Sequence, residues 1–123
     1  MIRSDNHVHT SFSTDSDTPM EQMVLKGIEL DLSSICFTDH IDYDFPDMGN
    51  GVEFLFDVDE YFAKLAALKE SYPQFELRRG VEIGLKPDLT ERCNALVHGY
   101  PFDFVIGSTH LVDNVDPYYP AFW

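Results

Sequence analysis

His7 and His9 stand one residue apart near the start of the chain, and Asp15 follows shortly after. In an extended strand alternate side chains face the same way, so these two histidines can aim their imidazoles at one point. Two neutral imidazoles converging in this way suit a divalent metal. A His-x-His pair also arises in polar segments that bind nothing, so the remaining histidines and carboxylates decide its meaning. Asp39 with His40, Glu82, and His110 each fall at or just past the end of an apolar run: 34–38, 75–83 and 102–106. The C-terminal ends of parallel strands lie together in a barrel or open sheet, and active sites are built there. His, Asp and Glu donors converging on such a face suit zinc, manganese or iron, and a carboxylate such as Glu82 can bridge two ions. Closely spaced ions clamp a phosphate and activate a water, which points to phosphate-ester hydrolysis. Amide hydrolysis can use the same ligands, so the residues define the mechanism better than the substrate.

The elements that must position these groups are legible in the pattern. Residues 2–10 read as a first strand with Asp5, His7 and His9 on its polar face, Asp5 being placed to orient a histidine. Thr18, Pro19 and Glu21 supply an N-cap, a proline at the first helical position and a glutamate in the first turn. Met20, Met23, Val24, Gly27 and Ile28 then give one buried helical stripe. Residues 34–38 form a strand buried on both faces. The stretch from His40 to Asp57, with Pro46, Gly49, Asn50 and Gly51, is a loop too long for a simple connection. A second helix starts at Asp57 with Glu60 as its capping-box partner, buries Val58, Tyr61, Phe62, Leu65, Leu68 and Tyr72, and stops at Pro73. Residues 75–83 form a third strand. A third helix, 88–98, shares a face among Leu89, Cys93, Leu96 and Val97 with Gly99 as its stop, and 102–106 is a fourth buried strand. Strand and helix in alternation argue for an α/β fold of parallel βα units.

Composition narrows the function classes. The 123 residues, 44% hydrophobic, suffice for one domain with a real core. Twenty-two acidic against eight basic residues give a net charge of −14, which repels a phosphate backbone and excludes nucleic acid as the expected partner. No apolar run approaches the roughly 20 residues needed to cross a bilayer, and the N-terminus lacks the apolar segment of a signal peptide, so a cytoplasmic protein with no membrane partner is expected. Cys36 and Cys93 read as free buried thiols. Eight carboxylates and no basic residue lie between Asp39 and Glu60; all but Asp39 are read chiefly as a solvated acidic loop. His98 ends a helix, where the dipole favours it without any metal. Arg78 and Arg79 could contact phosphate, but they occupy alternate faces of a strand. The aromatics of 118–123 could form a substrate lid or part of a core.

His7-Val8-His9-Thr10, Thr38-Asp39-His40, Gly80-Val81-Glu82 and Ser108-Thr109-His110, in that order, resemble the successive motifs of the polymerase and histidinol phosphatase (PHP) family. The resemblance is greatest to its histidinol-phosphatase branch and covers nearly the whole chain. It implies a distorted (β/α)7 TIM-like barrel with parallel strands and a trinuclear centre of divalent metals, zinc, manganese or iron. By position, His7 and His9 would bind the first metal, Glu82 would bridge the first and second, His110 would bind the second and His40 the third. Asp15 stands where relatives place a ligand to the third metal, with Asp17 as its competitor, while Asp39 would orient rather than ligate. Family members continue with a further histidine, an Asp-x-His pair and basic groups for the phosphate, so residues 1–123 are expected to be the N-terminal portion of the domain, without the C-terminal barrel half. The implied activity is hydrolysis of the small substrate L-histidinol phosphate in histidine biosynthesis, with His7, His9, Glu82 and His110 catalytic through a metal-activated water. The alternatives are another phosphoesterase or exonuclease of this family, an amidohydrolase, which Thr38-Asp39-His40 fits poorly, and an inert metal-binding fragment.

Overall fold

The apolar runs pair side by side and in parallel in the computed structural model of the chain, which describes residues 2–122 except 48, 50 and 119. Strand β1 (Ser4–Val8) pairs with β2 (Ser34–Phe37), and β2 pairs with β4 (Glu76–Gly84). The opposite edge of β4 pairs with β5 (Phe104–Ser108). A two-residue strand, β3 (His40–Ile41), also pairs with β4. Ser34 faces Glu76 and His40 faces Glu82, so the register set by β2 is kept by β3 across the interruption at Thr38 and Asp39. The four predicted strands are therefore four rows of one parallel sheet, with the second row broken. This is the sheet of a partial α/β barrel.

Alternation along the central strand assigns its two faces. Leu77 of β4 joins Ile35 and Phe37 of β2 in a cluster with Met20 and Val24 of α1 (Met20–Glu29) and Tyr61, Leu65 and Leu68 of α2 (Val58–Ser71). Val81 and Ile83 join Ile41 in a second cluster with Leu89, Cys93 and Leu96, the last two on α3 (Thr90–Gly99). Odd positions of β4 thus meet helices, while Gly80, Glu82 and Gly84 face the other way. Burial of these two clusters supplies the main driving force for the fold.

Helix α2 begins as its sequence predicts, with the Asp57 carboxylate accepting from the Glu60 N–H. Helix α1 differs: Pro19, not Thr18, occupies the N-cap, and no side chain caps the helix. Its far end closes through Asp31, which adopts φ 57° while its N–H donates to Ile28 O and that of Leu32 to Gly27 O, satisfying two terminal carbonyls. Ile28, assigned to the buried stripe, is 43% exposed at this last turn. Gly99 lies within the last turn of α3 and has no positive φ, so the helix stops by extension at Tyr100 rather than by a left-handed cap. Strand β5 is not buried as expected: Phe104 and Val105 are exposed on its two faces, and among the described residues it pairs with β4 alone. Cys36 and Cys93 are free and buried, as expected. Among the described residues, no helix is long and apolar enough to cross a membrane.

The break in the second row is where the site is set. Tyr61, fully buried, places its hydroxyl 3.0 Å from Phe37 O and 2.9 Å from Gly80 O, so one phenol serves both strands beside the interruption. At Gly80 a Cβ would lie 2.6 Å from Phe37 O and 2.8 Å from both Cys36 Sγ and Thr38 Cγ2. The backbone carbonyl cannot move aside without breaking the pairing of β2 with β4. Gly80→Ala is expected to destabilise the chain by about 1–3 kcal/mol in urea denaturation; a change within experimental error would show that the strands are not held this tightly.

Candidate metal centre

Glu82 points from β4 into the face opposite the helices, 4% exposed, and three histidines converge on its carboxylate. His7 Nε2 is 2.7 Å and His9 Nε2 2.8 Å from Oε2, while His110 Nε2 is 2.8 Å from Oε1. His7 and His9 come from the end of β1, where the pairing with β2 shifts register between Asp5 and Val8. Such an irregularity re-aims the side chains that follow it. His110 comes from just beyond β5, the strand paired with the other edge of β4. The rings thus approach one central carboxylate from both sides of its strand.

A second carboxylate sits behind His9 and another behind His110. Asp15 Oδ2 lies 3.0 Å from His9 Nδ1 and 3.4 Å from His40 Nε2. Asp42, 5% exposed, has both carboxylate oxygens 2.8 Å from His110 Nδ1. The loop that carries Asp15 is fastened by Asp39, which is fully buried and accepts from the Thr10 N–H, the Thr10 hydroxyl and the Ser13 N–H. Ser13 Oγ in turn accepts from the His40 N–H. Asp39 therefore acts on the loop backbone. Asp17 belongs to none of the donor clusters among the described residues, and neither does His98.

The charges in this cluster are strongly perturbed. Burial alone would raise the Glu82 carboxyl, but hydrogen bonds from His7, His110, His9 and Ser108 outweigh it and hold the pKa down to about 2. For Asp42 burial is likewise outweighed, by His110 and at longer range by His40, and its pKa falls to about 2. The hydrogen bond to Asp42, against burial and aided by the charges of Asp42 and Glu82, pushes His110 up to about 9. Asp39 shifts the other way: burial raises it despite the donors from Thr10 and Ser13.

Three overlapping donor groups result: His7, His9 and Glu82; His9, Asp15 and His40; and His40, Asp42 and His110, the ligand atoms within each group lying within 4.8 Å of one another. Ions with metal–ligand bonds near 2.0–2.2 Å need ligand atoms only about 3–3.5 Å apart, so small displacements would admit them. His40 adds an independent sign of fit. The residue is 6% exposed, and Nδ1 is buried without a hydrogen-bond partner, 3.6 Å from Asp42 Oδ2. A buried, unpartnered nitrogen is costly unless something else occupies its lone pair. The donors are nitrogen and carboxylate oxygen with no sulfur, a set suited to zinc, manganese or iron.

All six candidate ligands read from the sequence, His7, His9, Asp15, His40, Glu82 and His110, meet in this cluster. Asp42 was missed there, absorbed into the acidic loop; Asp44, Asp47, Glu53, Asp57, Asp59 and Glu60 are indeed exposed. The signal was present, because His40-x-Asp42 has the same alternate spacing as His7-x-His9. Asp5 does not reach a ring: its Oδ1 accepts from the backbone N–H of His7. Arg78 and Arg79 lie nearer the other end of β4 and are engaged by carboxylates, Arg78 by Glu76 and Arg79 by Asp103 in a two-pronged pair, so neither is poised for phosphate. Beside the cluster lies a cleft of about 640 Å³ walled by Phe45, Phe54, Thr109, Asp116, Pro117 and Tyr118, with Phe54 stacked on His40 at 4.5 Å. Tyr119 and Trp123, part of the expected lid, fall outside the described residues.

The PHP domain family matches residues 5–122. A probable histidinol-phosphatase of Clostridium acetobutylicum is 38% identical over 114 residues, covering 93% of this chain and 42% of that protein. A histidinol-phosphatase of Lactococcus lactis subsp. lactis is 32% identical over 119 residues, covering 96% and 43%. The crystal structure of a histidinol phosphate phosphatase from Lactococcus lactis, complexed with zinc, L-histidinol and phosphate, superposes with a TM-score of 0.86 at 31% identity over 93% of this chain and 42% of the other. The chain therefore spans less than half the length of these relatives.

In the metal-free chain, the raised His110 pKa stabilises the fold fully below its ordinary value near 6.5, and that contribution is lost as pH rises through about 9. The thermal midpoint is expected to fall between pH 6.5 and 9 and the fall to be reduced in His110→Gln. An equal alkaline fall in both proteins would place the titrating group elsewhere.

Proposed function

The chain belongs to the PHP family, and on that premise we propose that it forms the N-terminal, metal-binding portion of a phosphomonoesterase that hydrolyses L-histidinol phosphate to L-histidinol and phosphate. The observation that carries this reading is the convergence of His7, His9 and His110 on the one carboxylate of Glu82. His7, His9 and Glu82 would hold one ion, Glu82 and His110 a second, and Asp15 with His40 a third. Divalent ions bound there would neutralise phosphoryl oxygens and lower the pKa of a water to make the nucleophile. The chain's own residues supply position: the Glu82 carboxylate, buried and kept ionised, can be shared between ions.

The cleft beside the donors fits the other end of such a substrate. Phe45 and Phe54 offer aromatic faces to an imidazole, and Asp116 offers a carboxylate to an ammonium. The relatives named for this activity and the structure holding L-histidinol and phosphate support the same substrate class. A nuclease reading within the family is disfavoured by the net charge of −14. A cytoplasmic location is part of the proposal, as suits biosynthesis of an amino acid. Because the relatives are more than twice as long, a second reading stands beside the first: the chain alone binds metal, and turnover needs the strands of the longer protein.

Phosphate release from L-histidinol phosphate, with zinc or manganese present, tests the proposal in the chain alone and in the chain joined to the C-terminal portion of the Lactococcus relative. Release is expected from the joined form, falling at least about 100-fold in Glu82→Gln. Cleavage of other phosphoesters with none of L-histidinol phosphate would overturn the substrate. Release by the unjoined chain would overturn the second reading.

A further inference from the structure

We propose that Asp42 is a positioning residue that holds the His110 ring by its Nδ1–H and thereby presents Nε2 towards Glu82, and that residue 84 is glycine to make room for it. An imidazole has two nitrogens, and those of His110 are divided: Nε2 lies 2.8 Å from Glu82 Oε1 and Nδ1 2.8 Å from both oxygens of Asp42. Both partners are carboxylates that can only accept, so Nδ1 donates to Asp42 and that bond fixes the ring orientation; with a metal on Nε2 it would fix the tautomer as well. Asp42 is itself fixed. It follows β3 directly, is almost fully buried, and its N–H donates 2.8 Å to Phe54 O on the returning arm of the long loop.

Gly84 supplies an independent constraint. It lies two residues beyond Glu82 on the same face of β4, and a Cβ there would overlap Asp42 Oδ1 and come within 2.6 Å of Cγ. Any side chain at 84 must therefore expel the Asp42 carboxylate. The same strand thus contributes Glu82 to the centre and, two residues on, the space for the group that aims a ring at it. A direct ligand role for Asp42, together with His40 and His110, is the competing assignment.

The consequence for metal affinity rests on the metal-binding reading above, but the contact does not, and the experiment separates them. Long-range proton–nitrogen spectra of the imidazoles, recorded on the metal-free 123-residue chain, are expected to show a slowly exchanging Nδ1 proton on His110. Asp42→Asn, which keeps an acceptor oxygen, should retain that proton, whereas Asp42→Ala and Gly84→Ala should lose it with the backbone amide spectrum otherwise preserved. A freely exchanging Nδ1 in the parent chain, or an unchanged signal in Asp42→Ala, overturns the proposal. On titration with zinc, Asp42→Asn should bind as many ions as the parent with affinity reduced about 10- to 100-fold; loss of one ion per chain would overturn it by making Asp42 a ligand. If the parent binds no zinc, the metal reading falls, and the imidazole spectrum still decides the contact.

Discussion

A carboxylate buried in a protein interior is tolerated only when its charge is answered, since desolvation costs several kcal/mol per ion. Glu82 is answered by three imidazoles, and the rest of the structure follows from bringing those rings to it. They arrive from β1 and from beyond β5, which requires β4 to lie between the other rows. Central placement in turn requires a strand apolar on its helix-facing side, which Leu77, Val81 and Ile83 provide, and nearly empty on the other. Glycines at 80 and 84 flank Glu82 for that reason: one lets the broken neighbour approach, and the other admits Asp42.

The interruption of the second row has a comparable logic. The backbone still bonds its neighbours there, Thr38 N–H to Val8 O and Glu82 N–H to Asp39 O, so the anchor for the 10–17 loop is the Asp39 side chain. The Asp39 carboxylate collects donors from Thr10 and Ser13, Ser13 accepts from the backbone of His40, and the loop is pulled against the strand ends with Asp15 facing His9 and His40. Beyond the break the row resumes in register, so that His40 stands opposite Glu82 and Asp42 arrives beside Gly84. The second buried acid thus does for the backbone what Glu82 does for the rings.

Much of this was legible in the sequence because it depends on period and punctuation. Alternation placed His7 and His9 on one face, apolar runs ending in His, Asp or Glu marked the strand ends, and the Asp57–Glu60 pair marked a helix start that the structure reproduces. What was not legible depends on long-range geometry. Asp42 looked like one acid among eight until burial and a ring 68 residues away distinguished it. Arg78 and Arg79 looked available until the partners on neighbouring elements were known, and β5 looked buried because its residues are apolar, although Phe104 and Val105 are exposed on its two faces.

The central claim is that the carboxylate of Glu82 and the rings of His7, His9 and His110 together form a cradle for metal. Anomalous diffraction at the zinc edge from crystals of the zinc-loaded chain tests it most directly. The account predicts a peak about 2.0–2.2 Å from Nε2 of His7 and His9 and from an oxygen of Glu82. Zinc held instead by the exposed carboxylates of the acidic loop, with Glu82 still hydrogen-bonded to all three histidines, would contradict it.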